Sequence, residues 1–363
     1  AFIDESLVIT PSHFLAAVGI VEGSGDALAK VLSPEKSHVK LAKYIAEAGQ
    51  SVTHADLYEA LSFYKTGQSG RTEMITLATA WGYKNNVVIK KTFEDGIEFF
   101  EGETLEETNL DEMIVSYSND QAFHYVTEPA PFDMLEQLVS AKDMHWTNHR
   151  FQDGHGSNDK AIPGFNMLVL DCDGEVTLDF IHEALSDYTF MTATTKRHTD
   201  DANRFRLIMP ISHILEMDQD DYREFMENVF MWLPYTVKDT TANQRSKKWL
   251  TNEASEVFVN QGEVLSPLPF IPKTSKNEAY KEGMKELGSL DNMERWFAQR
   301  MHSGDRNNQM IKFALALLDG GMSLVDIDQR VKSFNASMSN GLDMDEIDNT
   351  IMKTVARKIT EAA

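Results

Sequence analysis

Apolar residues recur along this chain at two spacings, and the change from one to the other outlines its elements. Residues 38–62 follow helical spacing, broken at Gly49-Gln50-Ser51, and Thr53-His54-Ala55-Asp56 reads as a capped restart. A third helix is expected over 70–81. Two β-type runs, Val87-Val88-Ile89-Lys90-Lys91-Thr92-Phe93 and Ile97-Glu98-Phe99-Phe100, then flank Asp95-Gly96, which predicts a hairpin. A strand over 113–117, punctuation at Pro129-Ala-Pro131, a helix over 132–141 and a Gly-, His- and Asn-rich loop over 146–164 follow. After Asn166, the unbroken apolar run Met167-Leu-Val-Leu170 reads as a buried strand and ends in Asp171-Cys-Asp173-Gly174. Next come a helix near 177–186, strands over 188–194 and 204–209, the second closed by Pro210, and a helix over about 218–232. Beyond a proline cluster the pattern is helical: 310–318, stopped by Gly320-Gly321, then 323–334 and 343–358.

This order predicts an α+β chain in three parts. Residues 1–110 form an N-terminal α+β region, 111–275 a mixed-sheet domain, and 286–363 a helical bundle. The last boundary is set by Pro267, Pro269 and Pro272 and the Lys-, Ser-, Asn- and Glu-rich stretch up to about 285. Three helices followed by a hairpin are compatible with a winged helix; a structural or partner-binding module shares that order. With 363 residues, 42% of them hydrophobic, the chain can bury a substantial core. It has no apolar run of about 18 residues or more, so no membrane span is expected. The opening Ala1-Phe2-Ile3-Asp4-Glu5 lacks the basic segment of a secretory leader. The single Cys172 excludes a disulfide framework and a multi-cysteine zinc site, and a reducing, cytoplasmic setting is expected. A net charge of −23 argues against nonspecific coating of nucleic acid or anionic membrane, but basic residues concentrate locally. Lys196, Arg197, Arg204 and Arg206 form one cluster, and Lys238, Arg245, Lys247 and Lys248 another.

The chemistry concentrates around the central strand. On a strand, residues two apart share a face, so Asp171 and Asp173 project together. A divalent cation with a preference for oxygen, Mg²⁺ or Mn²⁺, would relieve their repulsion and hold a substrate's phosphates. A solvated Asp-x-Asp-Gly turn is the plainer reading. Thr194-Thr195-Lys196-Arg197-His198 follows a strand and offers hydroxyls, cations and an imidazole suited to a phosphate chain. Arg204 and Arg206 share a strand face, where they would contact a polyanion or simply pair with acids. Asp239, after an extended segment, is a candidate third acid, with Arg245 close behind. His149, Arg150 and His155 of the long loop are candidates for positioning nucleotide or template.

Taken in order, hhhD-x-D, a strand, x-x-His, the strand Arg204-Phe-Arg-Leu-Ile-Met-Pro210, a helix and h-x-Asp resemble the catalytic core of the archaeo-eukaryotic primase superfamily. The resemblance is to the primase-polymerases of phages and plasmids. It implies two metal ions, Mg²⁺ or Mn²⁺ and not zinc, on Asp171, Asp173 and Asp239. It also implies phosphate contacts from Thr195, Lys196, His198, Arg204, Arg206 and Arg245. Lys196 stands where that family's second motif has serine. Arg197, Lys247 and Lys248 would meet template. Gly304-Asp-Arg306-Asn307-Asn308 and the helices after it resemble the small helical domain that follows phage primase cores; Arg306 and Asn307 would act near initiation, with Asn307 and Asn308 capping the helix. The implied function is primer synthesis and extension on single-stranded DNA from NTPs or dNTPs, in phage or plasmid replication within a host cytoplasm. No P-loop occurs, so a replicative helicase would act in cis or in trans. Two rival readings stand beside it. Val169-Leu-Asp171-Cys-Asp173-Gly174 also resembles the nucleophile motif of haloacid-dehalogenase-type phosphatases, and the acids could instead be structural in a non-catalytic DNA-binding module of replication initiation.

Overall fold

A computed structural model describes residues 10–15, 17–19, 21, 35–64, 67–302 and 304–362. The opening residues, on which the leader expectation rests, lie outside them. The chain is mixed α+β with a C-terminal helical segment, and it divides into two compact units between Thr104 and Leu105.

In the first unit, helix Ser37–Glu47 (α1) leads through strand Val52–Thr53 (β1) to helices His54–Ala60 (α2) and Gln68–Tyr83 (α3). Strands Val87–Glu94 (β2) and Ile97–Thr104 (β3) complete a sheet of order β1-β3-β2. The capped restart is present as a full capping box. Thr53 accepts from the Asp56 N–H, and the Asp56 carboxylate accepts from Thr53. Asp95 and Gly96 both have positive φ, the backbone a two-residue hairpin turn requires. Leu41, Ile45, Leu57, Ala78, Ile89 and Phe100 supply the core. A Cβ on Gly102 would fall 2.6 Å from the Ala46 backbone, so glycine lets α1 approach β3 closely.

The second unit holds two larger sheets and one two-stranded pair. Its elements begin with strands Glu106–Glu107 (β4), Met113–Ser118 (β5) and Val126–Ala130 (β6), helix Leu135–Val139 (α4), and strands His145–Thr147 (β7), Arg150–Phe151 (β8) and Ala161–Ile162 (β9). Strand Phe165–Asp173 (β10), helix Leu178–Ala184 (α5), and strands Phe190–Thr194 (β11) and Arg204–Leu215 (β12) follow. Helix Gln219–Trp232 (α6) and strands Trp249–Leu250 (β13) and Val257–Asn260 (β14) complete the sheets. The main sheet has order β10-β12-β11-β14, with β4 against β12; the second has order β13-β7-β5-β6. Because β12 is antiparallel to both β10 and β11, the β10–α5–β11 crossover is a split βαβ unit.

Met167 and Val169 of β10, Met191 and Ala193 of β11 and Ile208 of β12 occupy one face of the main sheet. They pack on Met113, Val115, Trp146 and Trp249 of the second sheet. Trp146 and Trp249 are register partners with ring centroids 5.3 Å apart. On the opposite face, α5 places His182 Nε2 2.9 Å from Thr192 Oγ1.

Two expectations are corrected. Pro210 does not close its strand; β12 runs on to Leu215. The proline lies beyond the last β11 pairing, at Ile208, and beside the β10 irregularity between Phe165 and Met167, so its missing N–H interrupts little. The 146–164 segment is not simply loop but carries β8, β9 and part of β7. Between Pro267, Pro269 and Pro272, Leu268, Phe270 and Ile271 are buried. Helix Ser275–Glu286 (α7) then packs back, with Asn228 Nδ2 donating to Phe270 O at 3.0 Å and Tyr280 Oη to Asn228 O at 2.9 Å.

The helical segment is therefore continuous with the sheets. Helix Asn292–Arg300 (α8) starts with Asn292 Nδ2 donating to Phe230 O, Leu233 O and Tyr235 O, and ends with Arg300 3.3 Å above the Trp296 ring. Helices Arg306–Asp319 (α9), Leu324–Ser337 (α10), Met344–Glu346 (α11) and Met352–Ala362 (α12) follow, the last two joined by a π turn over Ile347–Ile351. Phe297, Phe313 and Phe334 link α8, α9 and α10.

Trp146→Ala should destabilise the second unit by about 3–5 kcal/mol in urea titration, because the side chain is fully buried between the sheets. A loss below about 1 kcal/mol would show that the inter-sheet seam does not hold the unit together.

Candidate functional site

The seam between the sheets changes character at the end of β10. Met167 and Val169 give way along the same face to Asp171 and Asp173, while Ile208 of β12 gives way to Arg206 and Arg204. The antiparallel register sets Asp171 opposite Arg206 and Asp173 opposite Arg204. Arg206 Nε donates to Asp171 Oδ1 at 3.0 Å, and Arg204 Nη1 to Asp173 Oδ1 at 2.8 Å. Arg206 also donates through Nη1 to Leu250 O of β13, joining the two sheets above the site. Arg197, highly exposed, comes within 4.0 Å of Asp173 Oδ1. Gly174, with φ +87°, turns the chain immediately after the acids.

Asp239 arrives from the far side of α6. It caps a short 3-10 turn, Thr240–Asn243, its Oδ1 accepting from Thr241 N at 2.9 Å and from Thr241 Oγ1 at 2.5 Å. Its second oxygen faces Lys247 Nζ at 2.8 Å, and the same Nζ lies 3.4 Å from Asp171 Oδ2. Lys247 also donates to Thr241 Oγ1 at 2.6 Å. Two acids far apart in sequence thus share one ammonium. Burial pushes the Asp239 carboxyl up, but the hydrogen bonds from Lys247 and Thr241 outweigh it and hold the group below its ordinary value.

Each of these two carboxylates has one oxygen fixed by a positioning partner, Arg206 or Thr241, and turns the other toward Lys247. Oxygen-only donors pre-aimed at one cation fit Mg²⁺ or Mn²⁺. Asp173 is not part of that convergence. Among the described residues no group of three or more His, Cys, Asp or Glu side chains gathers as a metal site.

Several positioning residues escape sequence reasoning. Glu175 accepts from Asp173 N at 2.7 Å and from Lys238 N at 3.5 Å, tying the end of β10 to the residue before Asp239. Cys172 Sγ lies 3.2 Å from Tyr235 Oη on the opposite face, and burial pushes both groups up. The only signal for Glu175 is its place directly after Asp-x-Asp-Gly; nothing in the sequence marks Thr241 or Tyr235.

The remaining sequence candidates separate into two sets. Thr195, Lys196 and His198 line an open cleft of about 480 Å³, together with Lys142, Leu250 and Asn252. The Arg204 N–H donates to His198 Nδ1 at 3.1 Å, so the neutral imidazole carries its proton on Nε2. Thr195 Oγ1 donates to Arg204 O at 3.3 Å, and Thr194 Oγ1 accepts from Glu256 N. Other basic candidates are bound to backbone. Arg245 donates to Met217 O and Asn158 O, and Lys248 to Gly156 O. At the start of α9, Arg306 donates to Asn340 O and Asn307 Nδ2 to Glu346 Oε1 at 2.7 Å. The N-cap there is Asp305, not Asn307 or Asn308, and its carboxylate accepts from the Asn308 and Gln309 side chains. Asp218 caps α6 through the N–H groups of Asp220 and Asp221. In the long loop, His155 stacks on Phe123, and Arg150 donates to Pro163 O. His149 is a core residue. It is 1% exposed, packed on Phe165 and Tyr222, with Nδ1 2.9 Å from Asn148 Oδ1.

No protein-family model matches the chain, and comparison with curated proteins and with solved structures gives no match. Among the described residues no helix is long and apolar enough to cross a membrane.

Burial, reinforced by the charge of Arg245, holds His149 down to about 3 from an ordinary 6.5. Its folded value is depressed, so the stability it contributes is complete above pH 6.5 and is lost as pH falls toward 3. His149→Phe should make that loss shallower by up to about 1.4 kcal/mol per pH unit in urea unfolding at stepped pH. An unchanged slope would mean that His149 titrates normally.

Proposed function

We propose that the second unit is a template-directed nucleotidyltransferase, a primase-polymerase that makes and extends primers on single-stranded DNA from NTPs or dNTPs. The single observation that carries this reading is the convergence of Asp171 and Asp239 on one cation position beside Arg204 and Arg206. The split βαβ topology and the helical segment after it support the resemblance seen in the sequence. In the first unit, the order helix, strand, helix, helix and hairpin supports a winged helix. A replicative helicase, in cis or in trans, is the partner this reading implies.

The chain's own residues have separable tasks in this reading. Asp171 and Asp239 would hold a divalent cation through the oxygens now facing Lys247, with Asp173 alongside on Arg204. The cation, Mg²⁺ or Mn²⁺, supplies a lowered pKa for the attacking 3′-hydroxyl and neutralises the triphosphate. Arg204 and the exposed Arg197 would meet phosphate oxygens as charged donors. His198 offers Nε2–H into the adjoining cleft, and Lys196 adds charge at its mouth. Arg206 stays with Asp171 and Leu250 and keeps the acid oriented.

One observation favours a second reading. Asp171–Arg206 and Asp173–Arg204 form cross-strand ion pairs that need no metal, as a non-catalytic DNA-binding module would have. One assay separates the two: labelled nucleotides, single-stranded template and Mg²⁺ or Mn²⁺, with and without primer. Products without primer are expected. Asp171→Asn and Asp239→Asn should each cut synthesis by about 10²–10³-fold with circular dichroism unchanged. DNA binding without synthesis under any of these conditions would favour the non-catalytic module.

A further inference from the structure

We infer that Lys247 is a resident counter-ion that a divalent cation must displace to occupy the Asp171–Asp239 position. The inference rests on the metal-dependent reading above and adds to it a competition internal to the chain. Lys247 Nζ lies 2.8 Å from Asp239 Oδ2 and 3.4 Å from Asp171 Oδ2, with Thr241 Oγ1 as a third partner. These two oxygens are the ones that Arg206 and Thr241 leave available. The ammonium therefore takes the place a cation would take, and the carboxylates keep their orientation when one replaces the other.

Two consequences follow from like charges in a confined site. Without a cation between them, Asp171 and Asp239 repel, and half-buried surroundings screen that repulsion poorly. Lys247 removes the repulsion and so stabilises the metal-free protein. The same contacts must break before metal enters, so Lys247 weakens metal affinity by the free energy of its own ion pairs. Its side-chain partners all belong to the site. Arg245 and Lys248 are held by backbone carbonyls on either side, whereas the Lys247 side chain is held only by the site itself.

The test is Mn²⁺ binding to the full chain without nucleotide or DNA, followed by the electron paramagnetic resonance of free Mn²⁺ and by calorimetry. Lys247→Met should bind Mn²⁺ roughly tenfold more tightly than the unsubstituted protein. Its metal-free form should melt at lower temperature, and Mn²⁺ should raise its melting temperature more. Should Lys247→Met fold only with Mn²⁺ present, that rescue also supports displacement; Lys247→Gln, which keeps a hydrogen-bond donor, supplies the affinity comparison. Equal or weaker Mn²⁺ binding by the variants overturns displacement and leaves the polymerase reading intact. Absence of Mn²⁺ binding by all of them overturns both.

Discussion

The antiparallel register between β10 and β12 governs both the core of the second unit and its chemistry. With side chains alternating at period 2, a single choice of partners sends Met167, Val169 and Ile208 into the inter-sheet seam. The same choice places Asp171 on Arg206 and Asp173 on Arg204. A slip by one residue would carry Met167, Val169, Asp171 and Asp173 together out of the seam to the helix-covered face. Packing of the seam thus enforces the geometry of the acids.

The third acid depends on more distant support. Asp239 follows α6, and the segment between them is pinned at three places. Tyr235 meets Cys172, Lys238 N meets Glu175, and Asn292 of α8 gathers three carbonyls from the end of α6 and the residues after it. The helical segment is consequently part of the frame that delivers Asp239. The buried residues between the prolines at 267–272 make that continuity possible.

Much of this architecture was legible in the sequence, and its gaps have physical causes. Long periodic elements such as β10, β12, α6 and the C-terminal helices announce themselves, as do the Thr53 cap and the Asp95-Gly96 turn. The second sheet does not, because β7 and β13 are too short to show a period and pair across a long stretch of chain. Strand β6 hides behind Pro129, which an edge strand tolerates. Asp171, Asp173 and Asp239 could be singled out by residue type and order. That Lys247 lies between two of them, rather than on a template surface, depends on a loop path that no local pattern encodes.

Cys172 is the only cysteine in the chain and lies between the two acids of β10, pointing into the opposite face. Its thiol is buried and held out of the thiolate form, so it is unreactive while Tyr235 covers it. Any thiol reagent that modifies this protein therefore reports the frequency with which the end of β10 opens. The chain carries, without engineering, a single-residue clock for local breathing at the strand that bears its candidate acids.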